Sequence, residues 1–463
     1  MSRYLLVILV YSGLLIALGI YLSRRVRRAS DFLVAGRSLG PGLVFASFLA
    51  ANIGAGSTVG AAALGYQLGW SAWWWVGSAA IGCFVLANTV GPRIWTLART
   101  HGYHTLGDYL EARYSRAVRG WTALIVWFGS LGLLAAQLIA LSLVLQTVAA
   151  VPPWAGSLLG GVVAVAYFTA GGLPGSARIN SLQLLVLFAG LLLAIPFAVG
   201  SSGGWPQITA AGAARSGDAY LSFTGLGPGG ILYYVALLSP AFIVSPGLLQ
   251  KVYGARSASA ARAGVNLNAA AMLLFAAVPP CLGIIGASQF PSLADPQLAL
   301  FRVLTERLPM WLGMLGLAAI FSAEVSTCDA VLFMLSTSLS VDLYQRFCNP
   351  GATERTVLYA SRIGAVISGI LGIVIAVKAP SIISSLTLFY SLVSVALFAP
   401  VISGLYSARP GAPAALAAIG ISVPCTVILN YAAGETILGP LNPFAAGILL
   451  SFAVLWGITL LHR

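Results

Sequence analysis

The sequence predicts an all-α polytopic membrane protein, and three observations carry this prediction. Apolar residues make up 59% of the 463 positions and charged residues only 8%, whereas an average soluble domain is about 25% charged. The mean hydropathy of +0.94 is the opposite of a disordered composition. The apolar residues also form continuous runs of about 20, the length of a spanning helix, rather than the alternating segments of about 10 that build membrane β-barrels.

Thirteen spans are predicted from these runs. The first, 4–22, is followed by a cluster of arginines at 24–28, whereas a secretory signal carries its cations before the apolar core. The others are 41–66, 70–93, 121–149, 155–172, 181–200, 229–250, 264–287, 310–345, 356–378, 381–405, 411–433 and 442–461. The ninth is too long for one crossing, so we expect it to continue beyond the membrane surface as a helix ending near 342–347.

The distribution of cations predicts the orientation of these spans. With the N-terminus outside and the C-terminus in the cytoplasm, all but five of the 24 Lys and Arg residues fall on the inner side, as the positive-inside rule requires. The five exceptions are Arg3, Arg215, Arg302, Arg307 and Lys378. The inner loop 94–120 contains HTLGDYLEARY, which predicts a short amphipathic surface helix. A bacterial inner membrane is the expected location.

Composition and motifs also disfavour several classes of function. The cations are dispersed over short loops instead of sharing one face with aromatic residues, so no nucleic-acid partner is expected. The expected partner is the lipid bilayer. The cysteines show neither a CxxC metal pattern nor a disulfide framework. No HExxH motif occurs, and no pair of catalytic acids with a histidine can be assembled, so no enzyme activity is expected.

Two of the predicted spans are interrupted. The second carries Gly54, Gly56 and Gly60 near its middle, and the seventh carries Pro240 and the pair Pro246–Gly247. A helix break is tolerated in lipid only where it faces protein or water, and matched breaks in two halves of a chain indicate a transporter site. The alternative is that glycine and proline are simply more frequent in membrane helices.

The ninth span contains two acids, Glu324 and Asp329, within an apolar run, and acids at such depth are usually functional. At 100° per residue, one helix face presents Ala323, Ser326, Thr327 and Ala330, with Glu324 and Asp329 at its two edges. Hydroxyls and backbone carbonyls suit a hard cation, whereas the alternative is a close-packing face. We expect Glu324 to pair with a buried donor or to face the inner vestibule.

Six segments, in order over nearly the whole chain, resemble the sodium:solute symporter family. They are FLAANIGAGSTVG at 48–60, GYHTLGDYLEARYS at 102–115, AQL at 136–138, GGLPGSARINSLQ at 171–183, PGLLQKVYGARS at 246–257 and EVSTCDAVLFMLSTSLSVDLY at 324–344. The resemblance implies a five-plus-five inverted-repeat core with two broken helices. The implied divisions are 1–40, a first repeat at 41–200, an outer loop at 201–228, a second repeat at 229–407 and peripheral helices at 408–463.

The resemblance also implies a sodium site and a solute pocket. Carried onto this sequence, the sodium ligands are Ala50, Ile53, Ala323, Ser326 and Thr327. Some members add a second sodium at an aspartate; that position is Asn180 here, whereas Asp329 stands where those members have serine. Asp329 is therefore an accessory candidate, and the second site is either rearranged or absent. The implied solute pocket comprises Gly54, Gly56, Ser57, Thr58, Trp74, Gln137, Ala241 and Phe242.

These observations lead to a functional prediction with two alternatives. The predicted function is a secondary active transporter that couples inward Na+ movement to uptake of a small organic solute by alternating access. The few polar pocket residues favour an amino acid, a carboxylate or a vitamin-like solute over a sugar, although the tryptophans at 73–75 could equally form an interfacial belt. The alternatives are a proton-coupled symporter using Glu324 or Asp329 and a non-transporting membrane sensor.

Overall fold

The computed structural model describes residues 3–23, 34–379, 381–433 and 442–461. Within these ranges the chain is built of α-helices joined by short 3-10 and π-helical turns, without β-strands, which confirms the predicted fold class. An isolated bridge pairs Leu39 with Ala255. The predicted arginine cluster at 24–28 lies outside the described residues.

The helices are labelled in chain order. The first nine are α1 Arg3–Ser23, α2 Pro41–Asn52, α3 Ala61–Leu68, α4 Trp73–Val85, α5 Gly91–His101, α6 Leu106–Arg113, α7 Arg116–Ala149, α8 Pro153–Ser201 and α9 Trp205–Ser216. The remaining ten are α10 Gly227–Val244, α11 Pro246–Tyr253, α12 Ala258–Phe275, α13 Val278–Gln289, α14 Ala299–Glu306, α15 Met310–Thr337, α16 Glu354–Lys378, α17 Ile382–Tyr406, α18 Ala412–Ala433 and α19 Pro443–Leu461.

Ten helical segments of the described chain are long and apolar enough to cross a membrane, and 4–14, 41–52 and 153–166 are shorter apolar helices. The predicted number of thirteen spans is therefore not confirmed. One helix, α8, covers the fifth and sixth predicted spans together with the interval between them. The eighth predicted span is two helices, α12 and α13, because Pro279 and Pro280 stand in the first turn of α13, where proline is tolerated.

Both predicted helix breaks are present. Helix α2 ends at Asn52, Ile53 is extended (φ −104°, ψ 94°), and the chain re-enters a π-helical turn at Gly56–Gly60 before α3. Helix α10 ends at Val244, and Ser245 (φ −54°, ψ 122°) leads into Pro246 at the start of α11. A residue before proline avoids the α-helical conformation, so the second break follows directly from the sequence.

Helix α15 forms the centre of the bundle, because nearly all of its apolar stretch is buried. It packs against α7, α8 and α16 and against the first broken helix. Beyond Thr337 it continues as a π-helix over Ser338–Cys348, which confirms the predicted extension. The end of the bundle that holds α6 is the one predicted to face the cytoplasm; it is called the inner end, and the opposite one the outer end.

Candidate functional site

Five oxygen atoms meet where α15 crosses the first helix break. The Thr327 hydroxyl lies 3.0 Å from the Ala50 carbonyl oxygen and 3.2 Å from that of Ile53. The Ser326 hydroxyl lies 2.9 Å from the Ala323 carbonyl oxygen and 3.3 Å from that of Ala50. All five residues are buried. The structure thus brings together the complete predicted sodium set, and its neutral oxygens have the chemistry that a hard cation requires.

The break in α2 makes two of these carbonyls available. The last turn of a helix leaves its carbonyl groups without intrahelical donors, and Ala50 and Ile53 lie at that end. The approach of α15 also needs a glycine, because a Cβ on Gly54 would lie 2.5 Å from both the Thr327 hydroxyl and the Gln137 amide oxygen. That amide oxygen accepts the Ala55 N–H at 2.8 Å, so Gln137 satisfies a donor that the break leaves open.

The two acids of α15 lie in different surroundings. Glu324 is fully buried, and its Oε1 lies 2.9 Å from the Thr58 hydroxyl, which is also 2.9 Å from the Gly54 carbonyl oxygen. Pairing with a buried donor was one of the two outcomes expected for Glu324. Asp329, also buried, acts electrostatically on the ammonium group of Lys251 in α11.

Apart from Gly54 and Gly56, which belong to the first break itself, the residues predicted for the solute pocket divide into three groups. Ala241 and Phe242 line a cavity of ≈ 50 Å³ between the two breaks. The polar residues are engaged within the first break, where Ser57 donates to the Asn52 carbonyl oxygen at 2.7 Å and Thr58 and Gln137 bond as described above. Trp74 lies elsewhere, because its indole donates to the Phe223 carbonyl oxygen at 2.8 Å.

A larger vestibule of ≈ 1080 Å³ opens at the outer end. Its described lining carries hydroxyl, amide and aromatic side chains and no charged ones. Four aromatic residues, here called the aromatic partition, lie between this vestibule and the small cavity: Trp75, Tyr234, Tyr390 and Phe242. Trp75 packs edge-on against Tyr234 and Tyr390, with ring centroids 5.8 Å and 6.1 Å apart. The ring centroids of Phe242 and Tyr390 are 5.5 Å apart.

Similarity to known proteins identifies the family of this chain. Residues 32–421 match the model of the sodium:solute symporter family. The chain belongs to this family. The symporter is 28% identical to the sodium/pantothenate symporter of Escherichia coli K12, over 84% of this chain and 82% of that one. It is 24% identical to the sodium/glucose cotransporter of Vibrio parahaemolyticus, over 92% and 85%.

A solved structure of a Na+-coupled sialic acid symporter, in a substrate-bound outward-open state, has the same fold. It superposes with a TM-score of 0.82 at 19% identity and covers 99% of this chain and 98% of its own. The present symporter is accordingly a multi-pass membrane protein that couples sodium movement to the transport of a small solute.

An ion-pair cluster around Arg119 lies at the inner end of the symporter. Its guanidinium lies 2.8 Å from Asp108, 3.0 Å from Glu111 and 2.8 Å from Asp342, so it joins α6 to the π-helix that extends α15. Burial alone would raise the pKa of Glu111, but Arg346 and Arg119 hold it below its ordinary value of 4.5. The predicted amphipathic helix is thus docked on the bundle, with Leu106 and Leu110 buried.

Sequence reasoning missed three residues at the centre of the symporter. Trp75, rather than Trp74, belongs to the aromatic partition, and Tyr390 reaches it from α17. Lys251 lines the small cavity. A signal for Lys251 existed, since it is one of only two lysines in the sequence and falls at the end of an interrupted span. No comparable pattern marks Tyr390.

Proposed function

We propose that sodium binds at Ala50, Ile53, Ala323, Ser326 and Thr327, with Asp329 as an accessory ligand. The observation that carries this proposal is the contact of both α15 hydroxyls with carbonyl oxygens at the end of α2. A cation held there joins the broken helix to the central helix. Asp329 stands one turn beyond Ser326, within reach of the same ion directly or through water, and adds an attractive Coulomb interaction.

In the proposed mechanism of alternating access, the vestibule at the outer end and the Arg119 cluster at the inner end have different roles. Sodium and solute enter from the vestibule while the Arg119 cluster holds the inner end closed. A ligand shifts a conformational equilibrium only by its differential affinity for the two states. Sodium therefore has to bind the outward-facing state more tightly, and its loss to the cytoplasm follows once α2 separates from α15.

The solute is proposed to be a small amino acid, carboxylate or vitamin-like molecule rather than a sugar. The candidate polar residues Ser57, Thr58 and Gln137 are used within the helix break, and few hydroxyl-binding groups remain beside it. Relatives are named for pantothenate and proline as well as for glucose and choline. The proposed setting is a bacterial inner membrane with the N-terminus outside and two repeats at 41–200 and 229–407, each starting with a broken helix.

The test is uptake by proteoliposomes in which the sodium and pH gradients are imposed separately. Replacing Ser326 and Thr327 with alanine should abolish sodium-dependent uptake. The matched control is S336A/T337A, which removes a second buried Ser–Thr pair of α15 whose hydroxyls bond to the Phe333 carbonyl oxygen of their own helix. Undiminished sodium dependence in S326A/T327A contradicts the site, and uptake driven by pH alone favours the proton-coupled alternative.

A further inference from the structure

Lys251 is a buried cation at the second helix break. It lies in α11, which begins directly after Ser245, and only 5% of its surface is exposed. Its side chain lines the small cavity, and the acidic charge that acts on its ammonium group is that of Asp329. A buried charge is costly unless it is paired and hydrogen-bonded, so this group favours a ligand that accepts hydrogen bonds from it.

Asp329 offers only part of that compensation. It is the acid whose charge acts on Lys251, and in the proposed function it also faces the sodium ion. Two cations, sodium and Lys251, then share one carboxylate on this edge of α15. Occupation of the sodium site therefore leaves Lys251 short of negative charge, and a second anion restores the balance.

The ends of the broken helices reinforce this polarity. Ser245, Gly247 and Leu248 line the cavity, and they belong to the N-terminal end of α11, where the helix dipole is positive. Half-helix N-termini at such breaks commonly face anionic groups of transported solutes. The side of the cavity that α11 provides thus carries both a helix N-terminus and an ammonium group.

We propose that Lys251 binds the carboxylate of the co-transported solute. The cavity of ≈ 50 Å³ has room for a group of that size but not for a whole solute. The remainder of the molecule then lies against Phe242 and Tyr390, which line the same cavity and belong to the aromatic partition. The solute class is a small carboxylate with an apolar body. This inference rests on the proposed function and narrows its solute.

The test measures the unfolding temperature of the purified symporter in sodium-containing buffer. Matched pairs of compounds are added, and the increase that each compound produces is compared. The pairs are proline with prolinamide and pantothenate with panthenol, extended to other short carboxylates and their amides, with choline and glucose as cationic and neutral probes. Among these compounds, only the carboxylates should stabilise the protein beyond the effect of sodium itself. Lys251→Met should raise the half-saturating carboxylate concentration at least tenfold, the effect of losing a charge-assisted hydrogen bond, whereas Lys251→Arg should retain most of the affinity.

Several controls keep the outcomes distinct. Lys378→Met makes the same change at the other lysine, which is exposed at the end of α16, and should behave as wild type. Because K251M leaves Asp329 uncompensated, K251M/D329N tests carboxylate binding in a protein without either charge. Stabilisation by an amide equal to that by its acid overturns the inference, as does carboxylate binding by K251M that matches wild type.

Free anions and the sodium site are separated by two further measurements. Stabilisation that follows chloride in the absence of any carboxylate, and that disappears in gluconate, assigns Lys251 to a free anion and overturns the solute assignment. Sodium alone should stabilise both wild type and K251M, because the α15 hydroxyls are intact in both. A carboxylate effect that requires Lys251 but is unchanged by S326A/T327A contradicts the proposed sodium site while leaving the inference about Lys251 in place.

Discussion

The hydroxyl of Thr327 lies 3.0 Å from the carbonyl oxygen of Ala50, a contact between residues 277 positions apart. It joins the central helix α15 to the last turn of α2, immediately before the chain leaves the helical conformation. Because α2 stops there, the helix does not supply this carbonyl with an N–H partner of its own, and the oxygen is available to Thr327. The break is thus as much a part of the candidate sodium site as the hydroxyls are.

Gly54→Ala should impair sodium-dependent uptake by the symporter. Its Cβ would lie 2.5 Å from the Thr327 hydroxyl and from the Gln137 amide oxygen, so α15 has to move away from the break. The control is Gly420→Ala in α18, where a Cβ meets no atom within 4 Å. Uptake and its half-saturating sodium concentration check the prediction, which fails if both variants transport like wild type.

Asp329→Asn should raise the sodium concentration needed for half-maximal transport. The amide lacks the charge that strengthens cation binding in low-dielectric surroundings. Glu324→Gln should instead change stability or turnover, because Glu324 contacts Thr58 on the opposite edge of the cation face. Sodium titrations of uptake compare the two variants. An equal increase in the sodium requirement of both would contradict the separate roles.

Thr58→Ala should destabilise the protein by about 1–3 kcal/mol, the cost of leaving a buried polar group without its partner. The hydroxyl lies 2.9 Å from both Glu324 Oε1 and the Gly54 carbonyl oxygen. Thr58→Ser keeps the hydroxyl and should lose much less. Thermal unfolding in a fixed detergent measures the difference. Equal losses in the two variants would mean that the methyl group, and not the hydroxyl, stabilises this contact.

Arg119→Gln should open the inner end. Removing one partner of a buried ion pair costs about 3–5 kcal/mol, and here Asp108 and Asp342 lose Arg119 while Glu111 keeps only Arg346. The control is Arg302→Gln, which breaks an exposed i,i+4 pair with Glu306 and should change stability little. Thermal unfolding and the rate of solute uptake test this. Wild-type behaviour of R119Q would show that the cluster does not hold the inner end.

The same cluster predicts a pH dependence. The pKa of Glu111 is lowered in the folded protein by Arg346 and Arg119, so its contribution to stability is complete above its ordinary pKa of 4.5 and is lost as pH falls through the lower, folded-state value. Unfolding temperatures measured from pH 7 downward should therefore fall more steeply for wild type than for Glu111→Gln in this acidic window. Parallel curves would contradict the prediction.

The sequence was sufficient for the features that depend on local chemistry. Proline after Ser245 and glycines around residue 54 predict breaks because backbone sterics act over a few residues, and helical periodicity places Ser326 and Thr327 on one face. It was not sufficient where two distant segments meet. Nothing in the pattern around Trp73–Trp75 distinguishes the indole that packs on Tyr390 from the one that bonds to Phe223, and the proximity of Lys251 to Asp329 depends on how α11 packs beside α15.

The bridge between Leu39 and Ala255 has a mechanical consequence. The Leu39 N–H donates to the Gly254 carbonyl oxygen at 3.0 Å, and the Arg256 N–H donates to the Leu39 carbonyl oxygen at 2.9 Å. These two hydrogen bonds join the start of α2 to the end of α11, which are the half-helices on the inner side of the two breaks. We therefore expect the helix that carries the Ala50 carbonyl and the helix that carries Lys251 to move together. Such coupling would oppose an uncoupled leak, in which the sodium ion crosses the membrane without the solute.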